Sequence, residues 1–332
     1  MSGELNNMTQ ITEKSRLLRE ISAGTVVSML IIFITMYLPV LGFFMAMILP
    51  MPTLYFRLKL GRKPGIALMI TVFVMTWAAT GGVSIDMLFY GALLLTGFFL
   101  GECLEMRLSI EKSVIYTVAS TLGICSTLFF FYAVANGQGV IPLVSGYVSE
   151  NVKLTLSLYE SMGMSQENIQ LISDSVGAIQ YVLVRIIPAL LIIMLTFVVW
   201  VDTLFIKKIL SKKGIVLKEL QDLNQWKAPE KLVWIAICLG VLLLIPGKNV
   251  KIAAFNCIMI LMPVYFFQGI AIISFFFEKR RLPILLRLFV YTIIAIQQIL
   301  ILVIVGVGFF DTWMNFRKIG INKDLDGQSS DG

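Results

Sequence analysis

Nine apolar runs follow one another along this chain, at about 21–37, 39–56, 64–80, 84–104, 113–135, 177–205, 232–246, 251–277 and 283–310. Most approach the roughly twenty residues that a helix needs to cross a hydrocarbon core about 30 Å thick. Hydrophobic residues make up 58% of the 332-residue sequence and charged residues only 14%. A soluble domain of this size cannot keep so much apolar surface from water, so the excess faces lipid. The expectation is an all-α fold: a polytopic transmembrane helix bundle of about nine spans, with eight as the alternative.

The net charge of +7 does not point to nucleic acid, because the cations form short clusters between apolar runs. Arg57, Lys59, Arg62 and Lys63 form one; Lys207, Lys208, Lys212 and Lys213 another; Lys279, Arg280 and Arg281 a third. That is the pattern of cytoplasmic loops, whereas nucleic-acid binding needs a contiguous basic face. Lys14, Arg16 and Arg19 precede the first run, and no small-residue cleavage site follows it. The first helix is therefore expected to be retained, with the N-terminus inside.

The chain has no histidine, which removes Ser-His-Asp triads, HExxH zinc sites and the commonest proton shuttle. Cys103, Cys125, Cys238 and Cys257 lie in or beside apolar runs without metal-ligand spacing and read as small core residues. No metal, cofactor or catalytic residue is expected, and no cluster of polar groups suggests an enzyme.

The organisation follows. Residues 1–20 form a cytoplasmic N-terminal segment, 21–206 a six-helix bundle, 207–231 a basic cytoplasmic linker, 232–318 a three-helix segment and 319–332 a disordered tail. The long connection at 136–175 carries Glu150, Glu160, Glu167 and Asp174 against a single Lys153, which places it outside. Val148, Val152, Leu156 and Tyr159 form one helical stripe, and Ser165 is a reasonable N-cap for a second helix. The pair is expected to form an amphipathic cap over the outer mouth. Nine crossings leave the C-terminus outside, yet Arg317, Lys318 and Lys323 in the tail favour inside. That conflict marks 232–246 or the first two runs as the weakest spans.

Candidate sites are the polar residues within apolar runs. Arg185 lies about nine residues into the sixth run, roughly 13 Å along a helix. A charge at that depth costs at least ~2.5 kcal/mol, so Arg185 either binds an anion in an outward cavity or snorkels to the headgroups. Asp86 starts the fourth run, where it pairs with Arg185 or simply complements the helix dipole. Gln297 and Gln298 line a polar cavity or bond between helices, as Gln268 does on the second reading. Gly24 and Ser28, four apart in the first run, allow close helix contact. "GFFLGECLEMR" and "GFFDTWMNFR" share an outline, but ten residues establish no repeat. On composition, Trp313 and Arg317 read as an aromatic-belt and snorkelling foot for the last helix.

That closing stretch, "GFFDTWMNFRK", also resembles the Gly-x-x-Asp-x-Trp-x-x-Phe-Arg-Lys ending of the YybS-like family, bacterial polytopic inner-membrane proteins of unknown function. "LPMPTLYFRLKLGRKPG", "GFFLGECLEMRLSIEKS" and "MPVYFFQGIAIISFFFEK" are similar to the same family. The resemblance implies a shared role for Asp311, Trp313, Phe316 and Arg317. The family is distantly similar to substrate-binding (S) components of energy-coupling-factor transporters and to the rod-shape protein MreD. Residues 21–206 fit a six-helix S-component-like bundle, although its two docking alanines are replaced by Gly24 and Ser28. Two functions follow: a transporter-like or solute-binding protein with an outward pocket, or a non-transporting scaffold in cell-envelope or cell-shape assembly. The expected partners are the lipid bilayer, a small-molecule ligand on the first reading and other membrane or envelope proteins on the second, with no nucleic acid.

Overall fold

The structure is a computed structural model, and it describes residues 2–82, 84–212, 220 and 223–318. Twelve α-helices are described. α1 (Ser2–Tyr37) stops just before Pro39, because proline disfavours helical backbone in the residue ahead of it. α2 (Pro39–Ala46) and α3 (Pro50–Leu60) each begin on proline, whose missing N–H costs nothing at a helix start. Gly61, with φ 93°, separates α3 from α4 (Arg62–Thr80), which ends on left-handed Gly81. α5 (Ile85–Glu105) is capped by Ser84, whose hydroxyl accepts the Met87 N–H at 3.2 Å. α6 (Ile110–Ala135), α7 (Val140–Ser161) and α8 (Gln166–Lys212) follow. After a short 3-10 turn at Leu223–Gln225 come α9 (Lys231–Leu242), α10 (Lys248–Lys279), α11 (Ile284–Ile296) and α12 (Gln298–Met314).

Among the described residues, seven helices are long and apolar enough to cross a membrane, and the count is eight if α11 and α12 form one broken span. The polytopic bundle therefore stands, and the count of nine is corrected. The run at 232–246 holds a helix of only 12 residues, roughly 18 Å long, too short for a ~30 Å core. The run at 283–310 is not one helix either, since α11 and α12 meet at 105°.

The cap also differs from expectation. α7 is there, but the second cap helix and the sixth span are a single 47-residue helix, α8, roughly 70 Å long. The amide of Gln180 ties it to α7, donating to the Ser145 carbonyl at 3.0 Å and the Ser145 hydroxyl at 2.9 Å. Pro188 sits inside α8 without ending it. The N-terminal segment is helical from Ser2 onward, within α1. Within the linker, 213–219 and 221–222 lie outside the described residues, as does the tail from 319 to 332.

The chain divides into two compact units. The first comprises 1–184 with 194–220, the second 185–193 with 221–332. The first has an apolar centre built from α1, α2, α3, α4, α5 and α8: Ile31, Ile32, Leu49, Phe56, Leu68, Val72, Leu93, Leu94 and Val198 are buried together. The second is organised around α10, which packs most extensively on α12 and then on α9.

Candidate functional site

In each unit a pair of helices approaches closely enough to bury a charged group between them. In the first unit the pair is α3 and α5. A methyl group on Gly97 would run into the carbonyl oxygen of Pro50, and one on Gly101 into the stem of Arg57. Glycine thus permits backbone contact, and Arg57 fills the space beyond it. Arg57 is only 1% exposed. Its Nε and Nη2 donate to Oε1 of Glu102 at 2.9 and 2.7 Å, and Nη2 also donates to Glu105. Arg62 approaches Glu102 at 3.3 Å. The Arg57 guanidinium stands 5.8 Å from the centre of the Phe98 ring. The buried cation is therefore neutralised by carboxylates of the protein itself.

In the second unit the pair is α10 and α12. Substituents on Gly269 and Gly308 would strike the carbonyl oxygens of Ile304 and Tyr265 respectively. One level along lies Asp311, fully buried. Its Oδ2 accepts from Nη2 of Arg317 at 2.9 Å and from the Gln268 amide at 3.1 Å; its Oδ1 accepts the Phe316 N–H at 3.0 Å. Gln268 in turn accepts the Ala228 N–H at 3.2 Å. Nη1 of Arg317 donates to the carbonyls of Asn224 and Trp226 at 2.8 and 3.0 Å, while its Nε has no partner. Lys227 adds a bond to the Asn315 side chain at 2.8 Å. The result is a clasp that pins residues 224–228, the end of the linker, against α10 and α12. Left-handed Asn315 makes it possible, since its positive φ of 40° turns the chain so that Arg317 returns to Asp311.

The candidates from sequence fall in different places. Asp311, Phe316 and Arg317 come together in the clasp, whereas Trp313 is exposed and packs its ring edge-on to Phe309, with centroids 5.3 Å apart. Arg317 is therefore no snorkelling foot: its side chain is fully buried. Gly24 abuts Phe56 and Leu68, and the Ser28 hydroxyl donates to the Gly24 carbonyl at 2.9 Å. Arg185 is exposed on α8 and falls in the second unit, while Asp86 is exposed in the first turn of α5 and falls in the first. Gln297 and Gln298 do not lie deep in a continuous helix. They occupy the break between α11 and α12, where Gln297 has extended backbone. A cleft of about 380 Å³ opens there, lined by Ile293, Ile296, Gln297, Ile299 and Leu300, so one amide faces an apolar surface.

Two polar groups escaped the sequence reading. Arg57 was counted among surface cations of a cytoplasmic loop; the signal against that was the Gly97-x-x-x-Gly101 spacing before Glu102, which marks a close helix contact. Asp202 lies five residues before Lys207 in sequence. It is fully buried on α8, and neither of its oxygens has a hydrogen-bond partner. Among the described residues no three His, Cys, Asp or Glu side chains group to hold a metal.

The two helix pairs also correspond in sequence. Met51, Pro52 and Phe56 of α3 match Met262, Pro263 and Phe267 of α10, and Gly97-Phe98-Phe99 of α5 matches Gly308-Phe309-Phe310 of α12. The same 45 residues separate Pro52 from Gly97 and Pro263 from Gly308. In that alignment Arg57 falls on Gln268, the two groups that take the acid of the neighbouring helix.

The family model described as "Predicted membrane protein (DUF2232)" matches residues 26–312, and the chain belongs to that family. No curated protein and no solved structure matches it.

Proposed function

We propose that this member of the DUF2232 family is a non-catalytic, multi-pass scaffold of the bacterial inner membrane, acting in cell-envelope or cell-shape assembly as the likeness to MreD suggests. The observation that carries this reading is how the buried charges are spent. Arg57 is consumed by Glu102 and Glu105, and Asp311 by Gln268 and Arg317. Arg185, the group a solute site would need, is exposed. Ionic groups that are spent on one another in this way hold helices together and leave nothing for a solute. The clasp motif at Asp311–Arg317, which resembles the ending of YybS-like proteins, is then a structural signature of that shape.

One observation favours a second reading, a transporter-like or solute-binding protein of the S-component kind. Asp202 keeps both oxygens unused within α8, and ionisable residues within membrane segments mark ion pathways and proton relays.

Mass spectrometry of small molecules released from the purified full-length protein separates the two. The scaffold reading expects identical profiles for wild type and Arg185→Ala. A compound present near equimolar amounts in wild type and lost in that variant overturns it in favour of solute binding.

A further inference from the structure

Four helices end in the same way. After α5, α6, α7 and α10 a backbone N–H reaches back five residues: Leu108 to Cys103, Gln138 to Ala133, Met164 to Tyr159 and Leu282 to Phe277. The residue before each donor has positive φ: 52° at Arg107, 67° at Gly137, 80° at Gly163 and 50° at Arg281. Glycine adopts that backbone freely, while an L side chain is strained in it. Two of the turns hold glycine. The other two hold arginine, a residue seldom found in that backbone.

The turn after α10 sets one of them in a distinctive place. Lys279, Arg280 and Arg281 are exposed there and take part in no ion pair among the described residues. The acid next to them in sequence, Glu278, is engaged by the Asn224 amide. Arg287 is committed to the backbone, donating from Nε to the Leu282 carbonyl at 2.9 Å and from Nη2 to the Phe277 carbonyl at 3.2 Å. It fixes the shape of the turn and leaves its three neighbours facing outward. α11 begins immediately afterwards with Ile284, Leu285, Leu288 and Phe289 exposed. Three cations with no ion pair among the described residues therefore border an apolar face, at the end of a helix long and apolar enough to cross a membrane.

We propose that the turn 279–283 and the first turns of α11 form a binding site for an anionic phospholipid. Lys279, Arg280 and Arg281 take the headgroup phosphate, and Ile284, Leu285, Leu288 and Phe289 lie along the adjoining acyl chain. A planar guanidinium matches two phosphate oxygens at once, which explains arginine on a left-handed residue that glycine would fill without strain. The apolar face selects a lipid over free phosphate. This site stands apart from the scaffold reading, since either function would use it.

The test uses the full-length protein with phosphatidylglycerol and phosphatidylcholine in equal amounts, and counts retained lipids by native mass spectrometry. Arg281→Gly is expected to lower phosphatidylglycerol retention about fivefold, the loss of one cation near an anionic surface. Its melting temperature in detergent should stay the same or rise, because the strain is relieved. The triple variant Lys279→Gln, Arg280→Gln, Arg281→Gln should abolish the preference for phosphatidylglycerol. Unchanged retention overturns the proposal. So does retention that falls together with the melting temperature, which would make Arg281 a structural residue only. Displacement of the lipid by millimolar inorganic phosphate overturns it as well, by showing a free-anion site.

Discussion

The α3/α5 pair and the α10/α12 pair solve one problem with opposite charges. Each uses glycine to bring two helix backbones into contact and then houses an ionic group beside the contact. In α3/α5 the deeply buried member is a cation, Arg57, answered by carboxylates that reach partly into solvent: Glu102 is 19% and Glu105 60% exposed at the side chain. In α10/α12 both members are sealed, with Asp311 and Arg317 at 0%. The first arrangement is open at one end and has a spare acid. The second is closed, and it recruits backbone from two segments, the linker and the turn after α12, to satisfy its charges. The closed pair should therefore be the more fragile, because a broken buried pair strands an ion that water cannot reach.

Asp311→Ala gives the largest expected effect, a loss of about 3–5 kcal/mol in stability, since it leaves Arg317 buried and unpaired. Chemical denaturation in detergent micelles measures it. Glu102→Ala should cost clearly less, because Glu105 remains on Arg57 and solvent is at hand. Equal losses would break the contrast between a closed and an open pair. Next in size are Gly97→Ala and Gly308→Ala, each expected to cost about 1–3 kcal/mol by forcing tightly packed backbones apart. Gly123, on α6, has open space where its Cβ would be, so Gly123→Ala should be neutral or stabilise by up to about 1 kcal/mol. Thermal melts of the three variants rank them.

How much of this was legible in the sequence follows from what each feature depends on. Lipid-facing helices were legible, because hydrocarbon demands long apolar runs and nothing else in the chain competes with that signal. The break at Gln297 was not. Gln-Gln inside an apolar run looks like interhelical glue, and no glycine or proline announces the bend. The short α9 was marked only by the parity conflict with the tail. The clasp was half legible: Asp311, Phe316 and Arg317 could be grouped by motif, but not the strand of linker they hold, since backbone carbonyls carry no residue code. Arg57 was misread because a cation at a helix end looks the same in sequence whether it is solvated or buried. The matching helix pairs were hidden for a similar reason. Six shared residues spread over two segments emerge only once α3 is seen against α5 and α10 against α12.

Asp202 sharpens the comparison from the other side. It is as buried as Asp311, yet no donor reaches it. A satisfied carboxylate supports the fold, while an unsatisfied one burdens it by the desolvation it never recovers. Asp202→Leu is therefore expected to stabilise the first unit by about 1 kcal/mol, since exchanging a buried polar group for an apolar one of similar size is neutral to favourable. A drop in melting temperature would mean that the carboxyl group is held by something the fold depends on. A gain accompanied by loss of function in cells would favour the carrier reading instead.

The smallest effect tests whether the spare acid in α3/α5 is redundant in truth. Glu105 binds the same Nη2 of Arg57 that Glu102 binds, but more than half of its side chain is in solvent. Its attraction for Arg57 is screened, and ordering its side chain offsets part of the gain. Glu105→Gln keeps the size and a hydrogen-bond acceptor while removing the charge, so stability should fall by less than about 1 kcal/mol. In the background of Glu102→Ala the same change should cost far more, because Arg57 would then have no carboxylate left. A double-mutant cycle on Glu102 and Glu105 measures that coupling. Additive losses would show that the two acids act independently, and that the open pair gains nothing from having two.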